Sequence, residues 1–376
     1  MTADRSLEDA AMEPLTDAND RDDDADIDAR VGRLIERAIL RNIPGLNLPR
    51  TESELDVGPT PKELVWSDET ARLFHYTPML DEIYRVPVLL VMSPVAKGYI
   101  LDLARGQSLV EYLLMQGHDV YMLDWVAPRK EQSTLDLANY VIDLLGGGIE
   151  AVANDSGEDD ITLVGYCMGG MLSSMYTALN PNGPVLNLAC FTTPVNGDGM
   201  ELYKKWMTSK SFDIDRLVAE LGNIPGDFIN SSLQALRPLQ RSANQMKLLN
   251  NVQDDAFVKA HLRFDRWAVD QLPVPGHLAR DMVKDFIVGN KLVRGELELR
   301  GGRVDFANIR VPFLHVAALY DHIVPAAASR DLINLVGSSD KKEIVMKGGH
   351  VSLVAGGNAI FRLWPQLDQW LATRGV

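Results

Sequence analysis

The sequence predicts an α/β protein: a doubly wound, mostly parallel sheet with an inserted, mainly helical segment. Three observations carry this. Apolar runs rich in β-branched residues, at 86–92 and 161–164, alternate with helix-patterned stretches. The alternation stops after Pro194 and resumes at Val311. Between the run at 161–164 and the helical pattern at 168–179 lies a tight Gly-x-Cys-x-Gly turn.

Residues 1–30 are dense in Asp and Glu and poor in core-forming side chains, a composition that predicts a disordered acidic tail. In the arm 31–62, Val31, Leu34, Ile35, Ala38 and Ile39 recur at helical spacing, so a short amphipathic helix is expected to pack on the body or on another subunit. From residue 63 strands are expected at 64–66, 71–76 and 86–92, the last apolar on both faces as a buried parallel strand requires. A loop at 93–98 leads to a helix over 101–116 and a strand at 119–125. A helix at 135–145, the strand at 161–164, the helix at 168–179 and a strand at 185–192 complete the first part of the core, residues 63–194. Residues 195–305 carry helix-patterned stretches with Trp206 and Trp267, punctuated by Pro225, Pro238, Pro273 and Pro275, and are predicted to form a cap over the carboxyl edge of the sheet. The second part of the core, 306–376, supplies a strand at 311–319, a helix from Ala326, a strand at 343–346 and a closing helix over 358–373.

A net charge of -15 with no basic stripe argues against a nucleic-acid partner. Two cysteines, Cys167 and Cys190, in 376 residues form no disulfide framework, and a reactive thiol suits a reducing compartment, so a cytoplasmic location is expected. The acidic N-terminus lacks the apolar core of a signal peptide, and no apolar run approaches the roughly 18 residues of a spanning helix. Dinucleotide turns, phosphate loops and His/Cys clusters of metal spacing are missing as well, so no redox or metal cofactor is expected.

The stretch Gly165-Tyr-Cys167-Met-Gly169 matches the nucleophile elbow of an α/β-hydrolase, with cysteine in place of serine. Strand must become helix almost at once, and side chains two before and two after the nucleophile would strike backbone unless they are glycine. The positive end of the following helix favours a thiolate at Cys167. A buried structural cysteine beside chance glycines is the bland alternative, disfavoured by the flanking strand and helix. The base and its orienting carboxylate should follow in the order acid, then histidine. Asp321 falls just after the strand ending at Leu319, and His350 just after the strand ending at Met346, both on the carboxyl edge that carries Cys167. Asp321 could instead merely cap the helix near Ala326. His322 adjoins Asp321, but neighbouring side chains in an extended segment point opposite ways. His315 reads as a satisfied core residue, and His75, His118, His261 and His277 as structural or surface residues. An oxyanion hole would take one backbone N–H from Met168 and a second from Val95 or Ala96.

Cysteine bears on the reaction class. Exchange of one thioester for another costs little and keeps the acyl group activated for later transfer to an alcohol. That fits acyl transfer from an acyl-CoA, whereas a plain hydrolase has no need of it.

With these residues assembled, the chain resembles polyhydroxyalkanoate synthases, above all the short catalytic subunits of the two-component type. The likeness runs from about residue 56 onward through Pro61-Lys-Glu-Leu-Val-Trp-Ser67, Lys97-Gly-Tyr-Ile-Leu-Asp102, Gly117-His-Asp-Val-Tyr-Met-Leu-Asp-Trp125, Gly165-Tyr-Cys-Met-Gly-Gly170, Thr193-Pro-Val195, Gly222-Asn-Ile-Pro-Gly226, Asp321-His-Ile-Val-Pro325 and Gly348-Gly-His350. The resemblance implies polymerisation of (R)-3-hydroxyacyl-CoA into an intracellular polyester with release of CoA. It casts Cys167 as the residue holding the acyl or growing chain, His350 as its base, and Asp321 as the acid that orients the histidine and assists the incoming 3-hydroxyl. It also implies a mobile cap, a homodimer or helper subunit as partner, and residence at the surface of a polymer granule. Three features depart from the pattern: the acidic N-terminus, Val351-Ser352 after His350 in place of a pair such as Ile-Gly, and Asn196-Gly197 in place of Asp-Phe. The competing readings are a cysteine hydrolase or thioesterase acting toward water or a small alcohol, and a non-catalytic granule-surface protein.

Overall fold

A computed structural model describes residues 56–237, 246–251 and 253–375. The acidic tail 1–30 and the arm helix expected near 29–40 lie outside the described residues. Eight strands form the main sheet: β1 (Lys62–Asp68), β2 (Ala71–Tyr76), β3 (Val88–Val91), β4 (Val120–Trp125), β5 (Ile161–Tyr166), β6 (Val185–Phe191), β7 (Phe313–Ala318) and β8 (Lys341–Met346). Their order is β1-β2-β4-β3-β5-β6-β7-β8, with β1, β2 and β4 paired antiparallel and every other neighbouring pair parallel. The expected doubly wound, mostly parallel sheet is therefore present. Every residue of β3, β5 and β7 is buried, as parallel strands covered on both faces must be. Leu89 and Leu90 are fully enclosed, each a burial of about 2 kcal/mol.

Two helices differ from expectation, for identifiable reasons. The helix expected over 101–116 is a short turn at Gly98–Leu101 followed by α1 (Leu109–Met115). Gly106 breaks the run with φ +72°, and the Ser108 hydroxyl then accepts from the Glu111 N–H at 2.9 Å, starting a new helix. The helix expected to stop at Leu145 instead runs on from Asn139–Leu145 into α2 (Gly146–Ser156). Three successive glycines look like a terminator, yet here they permit close packing: a Cβ on Gly147 would stand 2.8 Å from the Trp66 ring, and one on Gly148 3.2 Å from Leu123. Gly157, with φ +77°, ends the helix.

α3 (Met168–Leu179) follows β5 directly. Between β6 and β7 the chain forms α4 (Glu201–Met207), α5 (Ile214–Leu221), α6 (Gly226–Ala235), α7 (Asp255–Val269), α8 (Gly276–Asp281) and α9 (Lys291–Arg294). Asp213 and Asp254 start α5 and α7 by accepting two backbone N–H bonds each. This insertion is tied to the loop after β3 at several points. The Leu272 N–H donates to the Val95 carbonyl at 2.9 Å, Gln271 bridges to Ala96, and Trp267 Nε1 donates to the Lys97 carbonyl at 2.8 Å.

Candidate active site

Parallel strands share a carboxyl edge, so the loops after β3, β5, β6, β7 and β8 converge there. Cys167 is the residue after β5, with φ +56° and ψ -123°, and its N–H donates to the Phe191 carbonyl at 2.9 Å. The neighbouring glycines are required by backbone contacts. A Cβ on Gly165 would lie 2.3 Å from Gly170 Cα, and one on Gly169 2.0 Å from the Val91 carbonyl oxygen. Gly169→Ala must therefore displace β3 or α3. We expect it to cost about 4 kcal/mol or more, seen as loss of the cooperative urea transition; a variant of wild-type stability would show that the elbow tolerates a side chain.

His350 and Asp321 meet as the sequence order suggests. The imidazole Nδ1 lies 2.7 Å from Asp321 Oδ2, and both side chains are buried. The other carboxylate oxygen, Oδ1, accepts from the N–H groups of Ile323 at 2.9 Å and Val324 at 2.8 Å. Asp321 thus organises its own turn and holds the histidine with separate oxygens, while the nearby helix Ala326–Ser329 starts at Pro325. Burial by itself would depress the His350 pKa. Asp321 and Cys167, through charge and hydrogen bonding, outweigh that and raise it to about 10. The imidazole therefore lies within reach of the Cys167 sulfur as well as of the carboxylate.

Two further groups at the imidazole were not among the residues singled out from the sequence. Thr192 Oγ1 lies 2.9 Å from His350 Nδ1, and the Tyr166 ring packs 5.1 Å from the imidazole, its hydroxyl 3.4 Å from the His350 carbonyl. Thr192 is buried and has φ +41°, a conformation that costs a β-branched residue about 1–3 kcal/mol. Its place just after β6 is the signal that could have drawn attention to it.

The other titratable side chains sort by environment. At His322, burial first, then the charges of Arg237 and His350, lower the pKa to about 4 against the pull of Asp321, so it is neutral at pH 7. His315 sits between Ser329 Oγ at 2.9 Å and Glu343 Oε1 at 3.2 Å within the sheet. His75 pairs with Asp119 and Asp155, and His118 with Asp368. Cys190 is fully enclosed, and burial pushes its thiol up to about 12 despite a 3.3 Å contact with Ser174 Oγ.

Of the two backbone donors considered after β3, the Ala96 N–H is engaged by the Ser93 carbonyl at 3.1 Å. Met168 is the first residue of α3, where the helix itself leaves the N–H unused. From the insertion, Tyr203 on α4 comes close enough for the charges of Cys167 and Asp321 to add to burial in raising its hydroxyl pKa. Cys167, Asp321 and His350 are each under 10 % exposed, so the arrangement is closed to bulk water. Among the described residues there is no cluster fit to hold a metal ion, and no helix long and apolar enough to cross a membrane.

Both departures near the site have a local cause. Ser352 Oγ donates to the Gly349 carbonyl at 2.6 Å, bracing the turn that carries His350, and a Cβ on Gly348 would fall 2.1 Å from Ser352 Oγ itself. Gly197 passes so close to the insertion that a Cβ would lie 2.3 Å from the Phe286 carbonyl, while its N–H donates to Asn290 Oδ1 at 2.8 Å. Asn196 accepts from Asn290 Nδ2 at 2.9 Å and donates to Asp331 Oδ2 at 2.5 Å. A phenylalanine at 197 has no room in this arrangement.

Comparison with known proteins adds three kinds of match. Residues 98–356 match the family model of the alpha/beta hydrolase fold, and residues 51–113 that of the poly-beta-hydroxybutyrate polymerase (PhaC) N-terminus. The chain is 34% identical to the poly(3-hydroxyalkanoate) polymerase subunit PhaC of Allochromatium vinosum, covering 87% of this chain and 92% of that one. Its counterpart in Synechocystis sp. is 33% identical over 89% of each chain. With the subunit of Haloferax mediterranei it shares 34% identity over 86% of this chain, spanning 66% of that protein's length. Among solved structures, a soluble variant of monoglyceride lipase from Saccharomyces cerevisiae aligns over 87% of this chain and 99% of its own with a TM-score of 0.51 at 14% identity, a likeness of fold.

Proposed function

The chain belongs to the poly(3-hydroxyalkanoate) polymerases, acyltransferase-type enzymes, and from that premise we propose that it polymerises (R)-3-hydroxyacyl-CoA into polyester through an acyl thioester on Cys167. The observation that carries the proposal is the bonded Asp321–His350 pair beside a cysteine on the strained turn after β5. Asp321 accepts the Nδ1 proton and, with the charge of the cysteine, makes His350 basic enough to hold the Cys167 thiol proton on Nε2, leaving a thiolate beside an imidazolium. The thiolate then attacks the thioester carbonyl, and the tetrahedral oxyanion falls to the backbone N–H groups of Met168 and Val95. Collapse breaks the carbon–sulfur bond to CoA, which leaves as its thiol with the proton held by His350. In the second half-reaction a 3-hydroxyl gives its proton to His350 as its oxygen attacks the Cys167 thioester; the carbon–sulfur bond to Cys167 breaks, the two acyl units are joined by an ester, and the cysteine is left as thiolate beside the protonated histidine. The first exchange is thermoneutral and the second downhill, which is the advantage of sulfur at position 167.

The insertion between β6 and β7 serves as a cap in this scheme, since a site so buried admits substrate only when its cover moves. The Allochromatium and Synechocystis relatives are described as subunits, which supports a helper subunit or second copy as partner. The growing chain places the working enzyme at a polymer granule surface in the cytoplasm. No cofactor takes part in these steps.

The test is incubation of the purified protein with (R)-3-hydroxybutyryl-CoA, following free thiol and product mass together. High-mass polyester with stoichiometric thiol is the expected result. Thiol release with free acid alone would replace the proposal by a thioesterase. Absence of release with both short and longer acyl-CoA substrates, in the presence of a partner subunit, would overturn it.

A further inference from the structure

We propose that Thr192 is a positioning residue for His350: its hydroxyl, fixed by the left-handed backbone after β6, sets the plane of the imidazole so that Nε2 faces Cys167. The inference rests on the functional reading above only in assigning His350 its task. Three observations support it. The Nδ1 atom has two neighbours, Asp321 Oδ2 at 2.7 Å and Thr192 Oγ1 at 2.9 Å. Since the carboxylate can only accept, Nδ1 carries the proton, and the threonine oxygen accepts the second branch of a three-centre bond. With one acceptor the ring can still rock about its Cβ–Cγ bond within the width of a single hydrogen bond; a second acceptor on Nδ1 narrows that freedom.

The backbone shows how the hydroxyl is held. Thr192 N–H donates to the Val316 carbonyl on β7 at 2.8 Å, so the residue is anchored to the strand that leads to Asp321. It is 1% exposed and takes φ +41°, where a β-branched side chain is seldom found. Strain is tolerated where the surroundings over-determine the conformation, and such sites cluster at active centres. Adjacent Thr193 is packed too, its Oγ1 standing where a Cβ on Gly170 would come within 1.9 Å. Thus one threonine seats the helix behind the nucleophile and the other meets the base.

The experiment compares Thr192→Ser with Thr192→Ala in the full chain. Both variants lose the same methyl group, so packing losses cancel and only the hydroxyl differs. Thr192→Ala should lower kcat about 10- to 100-fold with KM little changed, while Thr192→Ser stays near wild type. A second readout needs no turnover: the His350 Nδ1–H proton resonance should remain sharp and slowly exchanging in Thr192→Ser and broaden in Thr192→Ala. Equal kcat and equal resonances in the two variants would overturn the proposal, as would loss in both despite native thermal transitions. Should every form lack polymerase activity, the resonance alone decides for or against Thr192, and the failure falls on the functional reading.

Discussion

Purified Cys167→Ala protein is expected to release no CoA from (R)-3-hydroxybutyryl-CoA above background, a fall of about 10⁴-fold or more. The control is Cys190→Ala, which should keep most of the activity. Cys190 lies on β6, paired in register with Gly165 of the elbow, two residues before Cys167, which directly follows the adjacent parallel strand β5. Their environments are opposite. Cys167 stands at the N-terminus of α3, near enough to His350 for its charge to raise the imidazole pKa, while Cys190 lies beneath the same helix with its thiol held protonated by burial. Removing the Cys190 sulfur opens a small void, a change of about 1 kcal/mol in stability that leaves the edge of the sheet intact. Mass spectrometry of the protein after brief exposure to substrate gives a direct check, an acyl adduct confined to the peptide containing Cys167. Comparable CoA release from both variants, or an adduct elsewhere, would remove Cys167 from the chemistry.

Asp321→Asn should lower kcat by about 10²- to 10⁴-fold while leaving the fold standing. The geometry dictates the direction. Oδ1 accepts from two backbone N–H groups, those of Ile323 and Val324, so the amide oxygen of an asparagine must take that place. Its NH₂ group then faces His350 and donates to Nδ1, which forces the imidazole proton onto Nε2. In that tautomer the nitrogen toward Cys167 has no lone pair with which to accept the thiol proton. Loss of the carboxylate charge also removes the first of the influences that raise the His350 pKa, which should drop from about 10. Asp321→Ala is a poorer test, because two buried donors would lose their acceptor. An asparagine variant turning over at the wild-type rate would mean that His350 is held by something other than Asp321.

What the sequence made legible was whatever depends on period and order. β-branched runs marked the strands, and since parallel strands end on one edge, the residues following them at 167, 321 and 350 could be placed together before any coordinates. Features that depend on what lies across the fold were hidden. The glycines at 146–148 look like a helix end, and only the Trp66 and Leu123 side chains opposite explain why the helix continues. The break before α1 rests on one hydroxyl, Ser108, inside an otherwise apolar pattern. Thr192 gives no sign in sequence of its left-handed backbone or of its bond to Val316, on a strand far along the chain.

The ties between the insertion and the loop after β3 bear on how substrate gets in. Leu272 holds the Val95 carbonyl, and Trp267 holds the carbonyl of Lys97. In the proposed mechanism, lifting this flank would shift the peptide next to the Val95 N–H, so entry by that route would trade away the geometry assigned to the oxyanion. On the proposed reading, then, residues 267–272 are the fixed jamb of the insertion, bonded to the loop after β3, and any opening that spares the backbone donors has to come from the rest of it.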